Sequence, residues 1–183
     1  MTSERRTRDS VAAPNLFTGT DVAEILRERG WTVLESCSPE VQSWCERAAG
    51  MLGSHVADRG ALGDLLELIF HYDAHQVLER VEGHAVLARY GSREVVRRLA
   101  LLLLDGGALD SERFKEIITT MKESSDLRSR DLFHPIRLAL AGRAGDGELD
   151  RVILLIDEAA TLPFAVAVKP ARARILEFCA ALD

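Results

Sequence analysis

Two histidines placed four residues apart raise the first question of chemistry. In the segment HYDAH, His71 and His75 would lie on one face of a helix, with Asp73 between them. Histidines at that spacing form part of many zinc sites. The segment lacks the glutamate of the metalloprotease motif, a CxxC pair and a clear third ligand. A metal-dependent enzyme or regulator is therefore the last of three hypotheses, and surface or packing histidines explain the pair more simply.

Other signatures of catalysis are absent from the sequence. It contains no GxSxG nucleophile motif, no phosphate-binding P-loop and no GxGxxG dinucleotide motif. The glycine-rich segment GRAGDG follows a helical pattern and not a strand, so it predicts the turn before a helix. These observations give no indication of a catalytic residue, a metal or a cofactor.

An arginine inside an apolar helical run is the second feature that could carry chemistry. In the segment LFHPIRLALAG, Arg137 lies beside the apolar face formed by Leu132, Phe133, Ile136 and Leu140. The arginine could lay its methylene groups on the core and extend its charge to water. It could also present a rigid guanidinium to a phosphate or a base edge. Spacing leaves both alternatives open, and either predicts that replacing the side chain by alanine leaves folding nearly intact.

The elements that must position these residues are almost all predicted helices. Apolar residues recur every three or four positions in nine segments. Helix starts are predicted at Thr20 or Asp21, at Ser38 with Pro39 in the first helical position, and at Ser92. The fold class is therefore predicted to be an all-α helical bundle of about nine helices.

Local signals also predict how the bundle is organised. Residues 1–16 are polar and are expected to form a mobile tail. Glycine-containing turns between Gly83 and Ser92 indicate a boundary, with helical subdomains over 17–83 and 84–183.

Two details of the local pattern are also predicted. Pro135 should lie in the first turn of the helix that carries Arg137, where its missing N–H costs nothing. The β-prone patches at 31–34 and 164–168 are explained as loops or helix ends.

Composition places the chain among ordinary globular proteins. Its 183 residues are 47% hydrophobic and 28% charged, and no apolar run reaches the length of a membrane span. The N-terminus is polar and rich in arginine, without the apolar core of a secretory signal. Three cysteines at wide spacing do not form a disulfide framework. A cytoplasmic protein without a membrane partner is expected.

The charge is distributed unevenly along the chain. The formal net charge of −6 argues mildly against nucleic acid as a partner. However, residues 11–127 hold 12 basic and 19 acidic side chains, whereas residues 128–174 hold 8 basic and 6 acidic ones. The basic excess therefore lies around the segment that contains Arg137.

This basic segment carries a family resemblance. The stretch LFHPIRLALAGRAGDGELDRVILLI resembles the C-terminal anticodon-binding domain of bacterial glutamyl-tRNA synthetases, which typically read Leu-Phe-x-Pro-Leu-Arg-x-Ala-Leu-Thr-Gly, then Gly-Pro-x-Leu and Leu-Leu-Gly. The resemblance extends over 38–183 and is most specific in 128–155. It departs from the family at Ala141, Glu148 and Asp157, where the family has threonine, proline and glycine. The matching positions are Leu132, Phe133, Pro135, Arg137, Ala139, Leu140, Gly142, Gly147, Leu149, Leu154 and Leu155.

The resemblance implies a noncatalytic protein that binds tRNA. The catalytic domain of such a synthetase, with its HIGH-like and KMSKS-like signatures, is missing from the sequence, so the chain is not expected to be an enzyme. Implied partners are tRNA, with tRNA for glutamate as one candidate, and a separate catalytic chain. A free-standing domain, a fragment and a repurposed paralogue all fit, and Met1 with the short polar lead favours a self-contained gene product. The residues expected to form the RNA-binding surface are Arg128, Arg130, Arg137, Arg143, Lys169 and Arg174.

A second hypothesis keeps the fold and discards RNA binding. The acidic character of residues 11–127 and the departures from the family motif favour a helical module that binds proteins or acts as a scaffold. A contiguous basic face would favour the tRNA hypothesis. An exposed apolar patch without basic surroundings would favour the scaffold.

Overall fold

The computed structural model describes residues 14–32 and 38–183. Within these ranges the chain forms ten α-helices and one short 3-10 turn, and no strand. The all-α prediction is confirmed, although the segment predicted as one short helix divides at Arg80 into two. The helices are α1 (Gly19–Glu28), α2 (Pro39–Leu52), α3 (Arg59–Phe70), α4 (Ala74–Glu79), α5 (Val81–Leu87), α6 (Ser92–Leu104), α7 (Ser111–Glu123), α8 (Ser129–Ala141), α9 (Glu148–Ala160) and α10 (Ala171–Leu182).

Polar side chains define the starts of the first two helices. The predicted start of α2 is confirmed, because the Ser38 hydroxyl accepts from the N–H of Val41 and Pro39 is the first helical residue. The predicted caps of α1 are wrong by two or three residues. Thr18 is the cap, and Asp21 accepts from its backbone N–H in a reciprocal capping box.

The predicted cap of α6 is also wrong. Gly91 occupies the cap position with a φ of 78°, a left-handed conformation that favours glycine. Ser92 is instead the first helical residue. Its hydroxyl is buried and has no hydrogen-bond partner within the described part of the chain.

Pro135 lies inside α8 and not in its first turn, so that prediction is wrong. The helix begins at Ser129, three residues before the apolar run, and Pro135 is its seventh residue. Proline lacks the N–H that would bond the carbonyl of Asp131. Asp131 is exposed, so water can solvate this carbonyl. Gly142 ends the helix with a φ of 77°.

One apolar cluster runs from α1 to α10. The helix α1 packs on α2, α2 and α3 pack on α9, and α10 packs on α4, α6 and α8. Four aromatic rings, those of Trp31, Trp44, Phe70 and Phe164, form contacts with centroids 4.7–6.0 Å apart. The division into 17–83 and 84–183 stays a prediction.

Between the described residues of the two β-prone patches, one backbone hydrogen bond is formed. The N–H of Ala165 donates to the carbonyl of Trp31 over 2.8 Å, and neither residue lies in a strand. The prediction of loops or helix ends is therefore confirmed where the chain is described. Residues 33 and 34 of the first patch lie outside the described ranges.

Part of the predicted tail lies within the described ranges. Residues 1–13 lie outside the described ranges. Asn15 is held in place, because its amide donates to the carbonyl of Ala49 over 2.8 Å and its side-chain oxygen accepts from the N–H of Phe17. Among the described helices, none has both the length and the apolar character needed to cross a membrane.

Candidate nucleic-acid interface

Arg174 lies in the centre of the bundle and not on its surface. Its side chain is completely buried, and its guanidinium donates to the carbonyls of Leu68, Ile69 and Leu140. A fourth bond joins Nε to the carbonyl of Lys169 over 2.8 Å. The prediction that Arg174 contributes to an RNA-binding surface is therefore corrected, since no phosphate can reach this guanidinium.

The partners of Arg174 explain why a cation is tolerated there. Leu68 and Ile69 are in the last turn of α3, and Leu140 is in the last turn of α8, where helix carbonyls lack partners within the helix. The negative ends of two helix dipoles also favour a positive charge. Burial lowers the pKa of Arg174 to about 10, so the side chain stays charged at neutral pH. Arg174 thus joins α3, α8 and α10.

Arg137 is also occupied by other parts of the protein. Its Nε and one terminal nitrogen donate to the two carboxylate oxygens of Asp150, each over 2.8 Å, and its other terminal nitrogen donates to the carbonyl of Gly145. The guanidinium lies over the ring of Phe133, with the carbon 4.9 Å from the centroid. Only 11% of the side chain is exposed.

These contacts answer the question that the sequence raised about Arg137. The side chain ties α8 to the turn after it and to the first turn of α9. Bidentate pairs of arginine and carboxylate are among the stronger hydrogen-bonded contacts. The expectation that alanine at this position leaves folding nearly intact is therefore replaced by an expected loss of stability.

The other four predicted residues are exposed but do not form one group. Lys169 is bound to the carbonyl of Tyr72 over 3.0 Å and to Glu177 over 2.6 Å, so its charge is compensated. Arg128 donates to two carbonyls of the preceding loop. Arg130 and Arg143 have no hydrogen bond or ion pair with any described residue. Arg130 lies in the first turn of α8 and Arg143 beyond its last residue, so the length of the helix, about 20 Å, lies between them.

A cluster of cations forms around His134, on the exposed side of α8. We call Arg89, Arg130, His134 and Arg137 the His134 cluster. The guanidinium of Arg89, in the turn between α5 and α6, is 3.0 Å from Nδ1 of His134. Because arginine only donates, Nδ1 must accept, and the neutral ring carries its proton on Nε2.

The electrostatics of the His134 cluster agree with this geometry. Burial lowers the pKa of His134, and Arg89, Arg137 and Arg130 lower it further, while Asp146 opposes them. Lys122 extends the positive surface, with its ammonium 5.6 Å from the centre of the Phe133 ring. The exposed members can neutralise phosphate groups because Arg89 and Arg130 have no acidic partner in the described ranges.

Arg89 is not among the RNA-binding residues predicted from the sequence. This residue belongs to the acidic part of the chain and lies 45 positions before His134. Helical periodicity carries no signal for a contact at that separation, because the contact depends on how α5 packs against α8.

The histidine pair of the HYDAH segment is not on one helix. Helix α3 ends at Phe70 and α4 begins at Ala74, so His71 and His75 belong to different elements. Nε2 of His71 accepts from the indole N–H of Trp31 over 3.1 Å. Nowhere in the described ranges do three or more His, Cys, Asp or Glu side chains form a group suited to a metal. The helix-face geometry behind the zinc hypothesis is therefore wrong.

Comparison with known proteins finds weak, partial similarity to glutamate–tRNA ligases. Glutamate–tRNA ligase 2 of Syntrophus aciditrophicus (strain SB) is 24% identical over 116 residues, which are 63% of this chain and 23% of that ligase. Glutamate–tRNA ligase 1 of Ehrlichia ruminantium, in strains Welgevonden and Gardel, is 31% identical over 62 residues, which are 34% of this chain and 14% of that ligase. No family model and no solved structure matches the chain.

Proposed function

We propose that this protein binds tRNA without catalysing a reaction, through the exposed part of the His134 cluster. The observation that carries the proposal is the convergence of Arg89 and Arg130 on one face of α8. Uncompensated arginines on one face are the electrostatic footprint of phosphate binding. Arg128 at the start of the same helix adds a third exposed cation.

The similarity to glutamate–tRNA ligases supports this proposal from a second direction. It suggests tRNA as the ligand and tRNA for glutamate as the first species to test. A separate catalytic chain as a further partner, the absence of enzymatic activity and a cytoplasmic location belong to the same proposal. The proposal does not depend on the predicted cations that the structure places in the interior of the protein.

The experiment is a titration of tRNA against the wild type and the double variant Arg89→Gln/Arg130→Gln. Binding is measured at about 50 and 200 mM salt, because affinity that depends on phosphate contacts falls steeply over that range. Each lost contact should reduce the salt slope by about one, so the double variant should lose about two. Arg27→Gln is the matched control, since this exposed arginine belongs to α1.

The outcomes of this titration distinguish between the two hypotheses that were drawn from the sequence. A folded wild type that binds no tRNA at low salt would contradict the proposal and favour the protein-interaction module. One observation already suits that alternative, because Leu101 and Leu176 are 69% and 46% exposed on the neighbouring helices α6 and α10. Equal salt slopes for the double variant and the wild type would exclude the His134 cluster as the site.

A further inference from the structure

An apolar groove lies beside the His134 cluster, between the start of α6 and the end of α7. It has a volume of about 370 Å³, at the small end of the range for ligand sites. Val95 and Met121 form part of its buried lining, and Leu127 and Tyr90 lie nearer the surface. The groove is large enough for one flat ring system and too small for a duplex.

Tyr90 is the most exposed large apolar side chain in the described part of the protein. It is 92% exposed in the turn that joins α5 to α6, next to Arg89 of the His134 cluster. Aromatic rings contribute most to stability when buried, so an exposed ring at the edge of an apolar groove is available to another ring. Neither face of the ring serves the core.

Gly91 keeps the groove in its shape. Its φ of 78° turns the chain sharply between Tyr90 and α6. A Cβ on Gly91 would lie 2.7 Å from Cδ1 of Leu127, so the two sides of the groove are already in close contact at that point. The turn therefore places Tyr90 at the edge of the groove.

Charges around the groove suit a nucleotide better than an apolar peptide. The guanidinium of Arg128 donates to the carbonyls of Ser125 and Leu127, two residues that line the groove. Arg98 lines the groove and donates to the carbonyl of Ser124 over 3.4 Å, in the same loop. An apolar slot with arginines beside it suits a base whose adjoining phosphate meets a positive charge.

Two carboxylates add a preference among bases. Glu94 and Asp126 line the groove and are exposed, so they can accept hydrogen bonds. They would repel a phosphate placed inside the groove, but they suit the exocyclic amino group of cytosine, adenine or guanine. Uracil has no such group to donate.

We propose that this groove binds one unstacked base of an RNA loop, stacked on Tyr90, and that it favours a base with an exocyclic amino group over uracil. The inference rests on the proposed function and adds a site outside the family motif. Arg128 and Arg98 neutralise the flanking phosphates. Glu94 and Asp126 accept from the amino group.

The first test measures the affinity of tRNA and of a short single-stranded oligocytidine for Tyr90→Ala and Tyr90→Phe. Loss of one stacking contact should weaken binding by about 5- to 150-fold in the alanine variant. The phenylalanine variant keeps the ring and should bind like the wild type. The salt slope should not change in either, because no charge is removed.

Controls keep this test specific to the groove. Leu101→Ala removes another exposed apolar side chain from α6, at the end away from the groove, and should not change affinity. Tyr90 is almost fully exposed, so its variants should fold, and a thermal melt checks this.

The second test compares oligocytidine with oligouridine. The wild type should prefer oligocytidine, and the double variant Glu94→Gln/Asp126→Asn should lose most of that preference, even if its overall affinity rises. Both probes are pyrimidines, so their stacking is similar. An equal preference in this variant and the wild type would overturn the assignment of the carboxylates.

The outcomes distinguish this inference from the proposed function. If the wild type binds no RNA, both fail. If the wild type binds with a salt slope that depends on Arg89 and Arg130, but Tyr90→Ala binds equally well, only the groove proposal fails. Equal weakening by alanine and phenylalanine would point to the hydroxyl group and overturn stacking. If Tyr90→Ala abolishes a concentration-dependent dimer without changing RNA affinity, the groove is an interface between two copies.

Discussion

Arg174 and Arg89 show one type of side chain in opposite surroundings. Arg174 is buried, and four backbone carbonyls accept from its guanidinium. Arg89 is exposed, and its bond to a neutral imidazole leaves its charge uncompensated. The buried cation completes the ends of two helices, whereas the exposed one is free to attract an anion. A guanidinium is therefore structural or available for binding according to which acceptors the fold has already placed around it.

Arg137 lies between these extremes and belongs to both regions. It contributes its charge to the His134 cluster, but Asp150 neutralises that charge through a bidentate contact. Of the six cations that the sequence analysis selected, the structure leaves Arg128, Arg130 and Arg143 as the exposed ones without an acidic partner in the described ranges. Substitutions that separate stability from binding would test this division.

The largest effect is expected for Arg174→Met. Methionine fills a similar space but leaves the carbonyls of Leu68, Ile69 and Leu140 buried without donors. We expect the free energy of unfolding to fall by about 3–5 kcal/mol, because each buried carbonyl left without a donor costs about 1–3 kcal/mol. Urea denaturation measures this loss. The matched control is Arg172→Met, an exposed position on the same helix, which should stay within about 0.5 kcal/mol of the wild type.

A loss below about 1 kcal/mol for Arg174→Met would contradict the structural role of this arginine. It would mean that water or a rearranged side chain can satisfy the carbonyls at the ends of α3 and α8.

The next effect is expected for Arg137→Ala. It removes two bonds to Asp150 and one to Gly145, so the free energy of unfolding should fall by about 1.5–3 kcal/mol. Arg143→Ala, which removes an exposed arginine beyond the same helix, is the control and should be nearly neutral. A double-mutant cycle with Asp150→Asn should give a coupling energy above about 0.5 kcal/mol. If the stability loss of the double variant equals the sum of the two single losses, the contact between Arg137 and Asp150 contributes no coupling energy.

The smallest effect concerns the titration of His134. Removing the neighbouring cation with Arg89→Gln should raise the pKa of His134 toward its usual value. NMR titration of the imidazole protons measures this, with His134→Gln to assign the signal and Arg27→Gln as the control. An unchanged pKa would place Arg89 too far from the ring in solution to form the His134 cluster.

The same lowered pKa sets the direction of a pH effect on stability. The unfolded chain holds the His134 proton up to a higher pH than the folded chain does, so acidification through this window favours unfolding. His134→Gln should remove this contribution. An RNA phosphate bound beside the ring should act in the opposite direction, because it stabilises the protonated form of His134. RNA binding should therefore tighten as the pH falls.

Local patterns were sufficient to predict the class of the fold and several helix ends. Phe114, Ile117, Ile118 and Met121 follow the helical period, and all four are buried on α7. Errors arose where two local signals competed. Ser92 is a good capping residue, but Gly91, in a left-handed conformation, occupies the N-cap position of α6. Pro135 is tolerated inside α8 because the carbonyl that it leaves without a donor is near solvent.

The sequence by itself determined the helices, because their apolar spacing and capping act over three or four residues. It also located the basic segment that resembles the synthetase domain. Only the tertiary structure decided what each arginine does. The acceptors of Arg174 in α3 lie more than 100 residues away, and Arg89 meets His134 across 45 residues. A charged group responds to every dipole and charge within a few ångströms, whatever their separation along the chain, so its role is set by packing and not by its neighbours in sequence.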